Sequence, residues 1–170
     1  QLKVVVFVFA ALLLTACNKK TKEAETSTTD TTQTAPVDQG NAIATDGAFT
    51  AADLETNSCL MKRVVYFDFD QDTLKPEYQA IVACHSKYLR DQASAKMSLE
   101  GNADERGTRE YNLALGERRA NMVLSAFVAN SAPASRITVV SYGEERPLCL
   151  DSDESCWAKN RRVEIVYTAK

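Results

Sequence analysis

The chain has 170 residues, among them 20 lysines and arginines, 23 aspartates and glutamates and one histidine, for a formal net charge of −3 at pH 7. This length allows one ordinary domain with extensions. The weakly acidic balance offers no basic field for nucleic acid, so nucleic-acid binding is excluded as the main function. Hydrophobic residues are unevenly spread, because the first 17 residues are very apolar and a long polar stretch follows.

The apolar N-terminal segment predicts a secretory signal. Lys3 precedes about a dozen apolar residues, too few to cross a membrane as a helix. The segment ends with Leu14-Thr15-Ala16-Cys17, which resembles a bacterial lipobox. This resemblance implies that diacylglycerol is attached to Cys17, that the chain is cleaved before it, and that the new amine is acylated, which gives a stable membrane anchor. Asn18 follows instead of Asp, which favours the outer membrane by the sorting rule of such lipoproteins. An ordinary signal with a chance cysteine is the alternative.

A polar segment follows the cysteine. Residues 18–58 are rich in Thr, Ala, Asp, Gln and Ser, and such a composition cannot bury a core. We therefore expect a disordered linker that spans about 35 Å as a coil and about 100 Å when stretched. A short helix at Thr50–Asn57 is only weakly indicated. The predicted organisation is a signal peptide at 1–16, a lipidated N-terminus and linker at 17–58, and a folded domain at 59–170.

Periodicity in the folded domain predicts six elements in the order βαβαβ, a long loop, then β. The strands are expected at 63–67, 96–100, 136–142 and 162–167, and the helices at 76–91 and 108–130. Two main helices on one face of a four-stranded mixed sheet form an α+β sandwich. The residues of the second helix expected to face inward are Leu113, Ala120, Val123, Leu124 and Phe127.

A charged loop between the second strand and the second helix is the most informative stretch. It contains Gly101 and Gly107, two positions at which the backbone is expected to need positive φ. Asp104, the free N–H groups of the helix N-terminus and Arg119 are expected to converge on one small concave site. A carboxylate and a guanidinium together suit a zwitterion, which carries both an ammonium and a carboxylate. The alternative is a loop salt bridge beside a solvated helix face.

Four motifs of the predicted folded domain carry a resemblance to a known family. They are Asn102-Ala103-Asp104-Glu105-Arg106-Gly107, Tyr111-Asn112, Gly116-Glu117-Arg118-Arg119-Ala120 and Asn160-Arg161-Arg162-Val163. In this order they resemble the signature of the OmpA-like peptidoglycan-binding domain, over roughly residues 60–168. The resemblance implies a lipid-anchored, non-enzymatic protein without a cofactor, whose domain faces the periplasm. It also implies that the protein tethers the outer membrane to peptidoglycan and works with the Tol proteins TolB and TolA in envelope constriction.

The resemblance assigns a role to each candidate binding residue. Asp104 is expected to hold the ammonium, and Arg119 the carboxylate, of the diaminopimelate side chain in the wall peptide. Phe69 and Asp70, after the first strand, are expected to line the groove. Further lining residues are Thr108, Asn112 and Leu115, for each of which a cap or core contact is equally expected. Both charged groups are expected to be exposed in the empty groove, so that replacing either with alanine abolishes binding and barely changes the melting temperature.

The acidic run Asp68-Phe69-Asp70-Gln71-Asp72-Thr73 leaves alternatives open. A calcium-binding EF-hand loop needs Gly and Glu where this chain has Thr73 and Gln79. The run also resembles a phosphatase of the haloacid dehalogenase type, but that family has Thr or Val in place of Asp72 and needs a larger domain. A periplasmic phosphatase or hydrolase that uses Asp68 and Asp70 remains the alternative function.

Single residues outside the signature complete the list of candidates. Asn102 stands where many family members have His, and we expect no ligand contact from it. Arg161 is expected to support the acidic loop electrostatically. His85 falls on the apolar face of the first helix and predicts a packed, hydrogen-bonded core histidine, so no catalytic constellation is visible.

Four cysteines remain once Cys17 is assigned to lipid, and they allow three disulfide pairings. In an oxidising periplasm disulfides persist. Cys149–Cys156, which closes a short loop before the last strand, is the preferred pair, and Cys59–Cys84 follows by default. A zinc site is the alternative, although no CxxC spacing supports it.

Overall fold

The structure is a computed structural model that describes residues 47–170. The predicted signal peptide at 1–16, the lipidation site Cys17 and most of the predicted linker lie outside the described residues. Among residues 47–170, none of the helices combines the length and the apolar composition that a membrane crossing requires.

All six predicted elements are present, and one helix was missed. In chain order the elements are α1 (Asp53–Thr56), β1 (Val64–Tyr66), a 3-10 turn (Pro76–Tyr78) that leads into α2 (Gln79–Asp91), β2 (Lys96–Asn102), α3 (Arg109–Ala129), a second 3-10 turn (Ala134–Arg136), β3 (Ile137–Gly143), α4 (Glu154–Asn160) and β4 (Arg162–Ala169). The short helix α1 lies within the weakly predicted segment. The unpredicted helix α4 lies in the long loop, where the Asp153 side chain caps it by accepting a hydrogen bond from the N–H of Cys156.

The four strands form one mixed sheet in the order β1-β4-β2-β3. β2 and β3 are parallel and are joined through α3, with Leu99 opposite Val139. The last strand, β4, lies between β1 and β2 and is antiparallel to both, with Val163 opposite Val65 and Ile165 opposite Leu99. The predicted α+β class with a mixed sheet is thus the observed architecture.

The core lies between the sheet and the helices α2 and α3. Val82 and Leu89 of α2, with Val123 and Phe127 of α3, pack there against the strands. The prediction that Leu113 faces inward was wrong, because its side chain is 41% exposed. Leu113 lies beyond the edge of the buried stripe of α3, at the end of the helix nearest the charged loop.

The folded unit begins earlier than residue 59. Phe49 and Leu54 are buried in the core, and the N–H of Phe49 donates to the carboxylate of Asp91 at 2.8 Å. The predicted boundary was therefore wrong for residues 49–58, which are attached to the core through Phe49 and Leu54 instead of forming part of a linker. The polar composition of this segment hid the two apolar residues that attach it.

Both preferred disulfides are present. Cys59–Cys84 joins the segment before β1 to α2, and Cys149–Cys156 joins the loop after β3 to α4. In the chain-entropy account, closing so short a loop as the second contributes about 2.5 kcal/mol.

His85 is a core histidine, as predicted. It is completely buried, with Nε2 at 3.0 Å from the carbonyl oxygen of Lys62 and Nδ1 at 2.8 Å from the hydroxyl of Tyr167. A carbonyl oxygen only accepts, so Nε2 carries the proton and Nδ1 accepts from the tyrosine. Burial lowers the pKa of His85 to about 4, so the ring is neutral at pH 7.

Candidate functional site

The site exists because β2 and α3 approach each other to backbone contact. A Cβ atom on Gly101 would lie 1.9 Å from the carbonyl oxygen of Gly116, and a Cβ on Gly116 would lie 2.4 Å from Oγ of Ser141. Gly101 is therefore required for this close approach. The expectation that it needs positive φ was wrong, whereas Gly107 does adopt φ 126°.

The charged loop turns directly from β2 into α3. The N–H of Ala103 donates to the carbonyl of Gly143 at 2.7 Å, which fixes the start of the loop on β3. The hydroxyl of Thr108 accepts from the N–H of Tyr111 at 3.2 Å, so Thr108 is the N-cap of α3. The loop thus places Asp104 beside the first turns of the helix.

A cavity of about 240 Å³ opens between this loop, α3 and the segment after β1. Its lining residues are Phe69, Asp70, Asp104, Arg106, Gly107, Tyr111, Asn112, Leu115 and Arg119. Six of the seven residues predicted to bind ligand line the cavity, and the seventh, Thr108, is a cap outside it. Arg106 and Tyr111 were missed. The four-residue spacing of Tyr111, Leu115 and Arg119 along one helical face was the signal that could have found the tyrosine.

Arg119 lies at the base of the cavity and is fully buried, with 0% relative exposure. Its guanidinium donates to three backbone carbonyls, those of Gln71 at 2.8 Å, Asn102 at 2.9 Å and Asp68 at 3.1 Å. These bonds use three of its five N–H groups, and two remain without an acceptor among the described residues. Burial lowers the pKa of Arg119 to about 10, against the opposing charge of Asp104, so the group is cationic at neutral pH.

Asp104 is also buried, with 4% exposure, and its oxygens are already engaged. Oδ1 accepts from the backbone N–H and Nε of Arg106 at 3.1 and 3.2 Å. Oδ2 accepts from Nη2 of Arg106 at 2.7 Å and from Nη1 of Arg161 at 3.1 Å. Burial would raise the pKa of Asp104, but these hydrogen bonds outweigh it and hold the pKa below its usual value.

The expectation that Asp104 and Arg119 are exposed was therefore wrong. Alanine at position 104 breaks the buried ion pair with Arg161, which typically costs about 3–5 kcal/mol because the remaining charge is left uncompensated. Alanine at position 119 removes the donor from three backbone carbonyls, and each buried acceptor left unsatisfied costs about 1–3 kcal/mol. Alanine at either position is now expected to lower the melting temperature, which corrects the earlier expectation of little change. Arg161 supports the acidic loop as predicted, since it bonds both Asp104 and the carbonyl of Phe67 at 3.1 Å.

Asp70 is the cavity's accessible carboxylate. The chain turns sharply after β1, and Asp70 adopts φ 55°, which Asp tolerates better than most residues. Its side chain is exposed and accepts a hydrogen bond from the hydroxyl of Tyr111, and this bond raises the pKa of the tyrosine. No cationic side chain among the described residues forms an ion pair with Asp70.

Arg106 lies across the mouth of the cavity. Its guanidinium contacts two aromatic rings, with Cζ 4.0 Å from the ring centroid of Phe69 and 4.1 Å from that of Trp157. Nη2 also reaches Glu154 at 3.4 Å. The indole N–H of Trp157 donates to Glu105 at 3.0 Å, so the missed helix α4 provides one of these two rings.

The acidic run after β1 does not form one cluster. Asp68 pairs with Lys75 at 2.7 Å, Asp72 pairs with Arg118 at 3.1 Å, and Asp70 alone lines the cavity. A phosphatase or a calcium loop needs these carboxylates to converge on one point. The observed divergence does not support either alternative.

Comparison with known proteins agrees with this fold. The OmpA family matches residues 66–161, more than half of the chain. The peptidoglycan-associated lipoprotein of Haemophilus influenzae is 43% identical over 129 residues, which are 75% of this chain and 82% of that protein. The protein of the same name from Legionella pneumophila is 35% identical over 98% of this chain and 95% of its own length.

A solved structure extends the comparison to three dimensions. The crystal structure of the peptidoglycan-associated lipoprotein from Burkholderia pseudomallei is 44% identical and superposes with a TM-score of 0.67, covering 68% of this chain and 98% of that one. The relatives are named for association with peptidoglycan and not for a catalysed reaction. The chain therefore belongs to the OmpA family and, within it, to the peptidoglycan-associated lipoproteins.

Proposed function

We propose that this protein is a non-enzymatic outer-membrane lipoprotein that binds peptidoglycan through diaminopimelate, the wall-peptide residue whose side chain ends in an ammonium and a carboxylate. Anchored by lipid on Cys17, it would tether the outer membrane to the cell wall from the periplasmic side. The observation that carries this proposal is one cavity that brings Asp70, Asp104 and Arg119 around a space of about 240 Å³.

The ligand carboxylate is assigned to Arg119. The two N–H groups of its guanidinium that lack acceptors suit a carboxylate in the cavity, and burial strengthens such bonds because water does not compete for them. The three carbonyl contacts fix the guanidinium before the ligand arrives, so little side-chain entropy is lost on binding.

The ligand ammonium is assigned to the two carboxylates, with Asp70 offering the free acceptor positions. An ionised carboxylate has about four lone-pair sites, and Asp104 already accepts four hydrogen bonds. Asp70 accepts one from Tyr111 and keeps the others free. Asp104 then contributes its charge, while Asp70 makes the direct contact.

Binding to purified sacculi tests the proposal. Sacculi with diaminopimelate should retain the detergent-solubilised full-length protein, whereas sacculi with lysine or with amidated diaminopimelate should retain little, since the ligand carboxylate is missing. Asp70→Asn should weaken binding about tenfold, or about 1.4 kcal/mol. Asp72→Asn is the matched control, because Asp72 lies nearby, is paired with Arg118 and does not line the cavity. Equal retention on lysine-containing sacculi would contradict the proposal.

We further propose that the protein works within the Tol–Pal system, with TolB and TolA as partners in envelope constriction. This part rests on membership of the peptidoglycan-associated lipoproteins and on the resemblance of the signature motifs. A periplasmic phosphatase or hydrolase is not proposed, since Asp68 and Asp70 point to different partners.

A further inference from the structure

We propose that Arg106 binds a second carboxylate of the wall peptide, distinct from the diaminopimelate carboxylate assigned to Arg119. The inference rests on the proposed function and deepens it, because it adds a specificity-determining contact at the mouth of the same cavity. Neither the spacing of the sequence motifs nor the resemblance assigned Arg106 a role.

The hydrogen-bond inventory of Arg106 leaves one nitrogen free. Nε and Nη2 bind Asp104, and Nη2 also reaches Glu154. Within residues 47–170, Nη1 has no acceptor for either of its two N–H groups. Arg106 lines the cavity, and its side chain is 30% exposed, so a ligand can reach this nitrogen.

The guanidinium is also held in place before any ligand binds. Asp104 fixes one edge of its plane with two hydrogen bonds, and the rings of Phe69 and Trp157 both pack against it. Such a guanidinium loses little side-chain entropy when it forms a further hydrogen bond. Because only donors remain unused, the group that it recognises must be an acceptor, and an anionic oxygen forms the stronger bond.

The wall peptide provides such groups beside the zwitterionic residue. A stem tetrapeptide of alanine, γ-linked glutamate, diaminopimelate and alanine carries a glutamate α-carboxylate on one side and a C-terminal carboxylate on the other. Both lie within about two residues of diaminopimelate, a distance of up to about 7 Å along an extended chain. Either can reach the mouth of the cavity while the diaminopimelate side chain occupies its base.

Calorimetric titration of the full-length protein in detergent with three synthetic tetrapeptides tests the inference. One peptide has both carboxylates free, the second has a C-terminal amide, and the third has a glutamate α-amide. The parent protein should bind one of the amides about tenfold more weakly than the free peptide, which identifies the carboxylate that Arg106 contacts. Arg106→Gln should bind the free peptide about tenfold more weakly than the parent does. It should bind that amide with the same affinity as the free peptide.

Arg146→Gln is the matched control. Arg146 also contacts an aromatic ring, with Cζ 3.4 Å from the centroid of Tyr142, and pairs with Glu100 at 3.2 Å, but it does not line the cavity. This variant should bind all three peptides as the parent does. Arg106→Lys, which keeps the charge but loses the planar fork, should retain part of the discrimination.

The alternatives give different patterns. If Arg106 only supports Asp104, Arg106→Gln will weaken the binding of all three peptides by the same factor. If Arg106 competes with the ligand ammonium for Asp104, Arg106→Gln will strengthen the binding of all three. Either result overturns the inference, as does equal binding of all three peptides by the parent, which needs no variant to fold. A parent that binds none of them contradicts the proposed function itself and removes the inference with it.

Discussion

At the scale of single residues, buried polar groups decide how this protein responds to pH. His85 is neutral in the folded state because it lies in the core between the carbonyl of Lys62 and the hydroxyl of Tyr167. Its pKa is about 4 when folded, compared with 6.5 for an exposed imidazole. On acidification the unfolded chain therefore takes up this proton first, and folding becomes less favourable.

We predict that the contribution of His85 to the free energy of unfolding does not change with pH above pH 7. This contribution falls as the pH drops from 6.5 to about 4. The difference between the pKa values of His85 in the folded and the unfolded chain corresponds to about 3 kcal/mol. His85→Gln, which can still donate to Lys62 and accept from Tyr167, should remove this dependence. Urea unfolding at several pH values between 4 and 7.5 measures it. The carboxylates with lowered pKa, such as Asp91 and Asp104, lose their stabilisation at lower pH, as each protonates below its ordinary value.

An unchanged slope in His85→Gln would show that another group titrates in this window. The assignment of this pH dependence to the buried, neutral His85 would then be wrong. The same experiment separates charge from packing, because the glutamine has no titratable group but fills a similar volume.

At the scale of elements, the contact between β2 and α3 positions the cavity. We predict that Gly101→Ala destabilises the protein by about 1–3 kcal/mol or more, because the new Cβ would overlap the backbone of Gly116 and force the helix away from the sheet. Displacing α3 also moves Arg119, so peptide binding should fall with stability. Thermal unfolding measures the first effect and sacculus binding the second.

Gly47→Ala is the matched control for this prediction, since a Cβ at Gly47 meets nothing within 4 Å. Its melting temperature should stay within about a degree of the parent, as is usual for an exposed substitution without strain. A Gly101→Ala variant as stable as Gly47→Ala would mean that β2 and α3 do not approach as closely as the structure has it.

The elements also show which features the sequence could predict. Helix α3 was predictable because Thr108 is an N-cap at its start and Pro133 lies just beyond its end, and the alternation in β2 was equally clear. The seven-residue helix α4 was missed because it is short, carries one cysteine of the short disulfide loop and lacks an apolar stripe. Its capping residue, Asp153, was the one local signal that was present.

The sequence predicted which residues line the cavity but not the burial that determines their contribution to stability. The charged loop pattern and the family resemblance together placed Asp104, Asn112, Leu115 and Arg119 at one site, and all four line the cavity. Their burial was not predictable, because it depends on the approach of β2 to α3. The contact of Arg106 with Phe69 and with a side chain of α4 depends on two segments far apart in the chain.

At the scale of the whole molecule, the extent of the folded unit determines the length of the proposed tether. The core includes Phe49, so the tether proposed to link Cys17 to the domain is limited to residues 18–48, ten fewer than composition predicted. A shorter tether brings the binding cavity closer to the membrane, and therefore narrows the range of distances from the wall at which the protein can bind.

The early start of the domain gives the last prediction. A chain that begins at Cys59 loses Phe49 and Leu54, both buried in the core, whereas a chain that begins at Gly47 keeps them. Burying two such side chains contributes about 3–5 kcal/mol, so the shorter chain should melt at least about 10 °C lower. Calorimetry of the two fragments measures the difference, and Phe49→Ala in the longer one should account for about half of it. Equal melting temperatures would place residues 49–58 outside the cooperative unit and restore the longer tether.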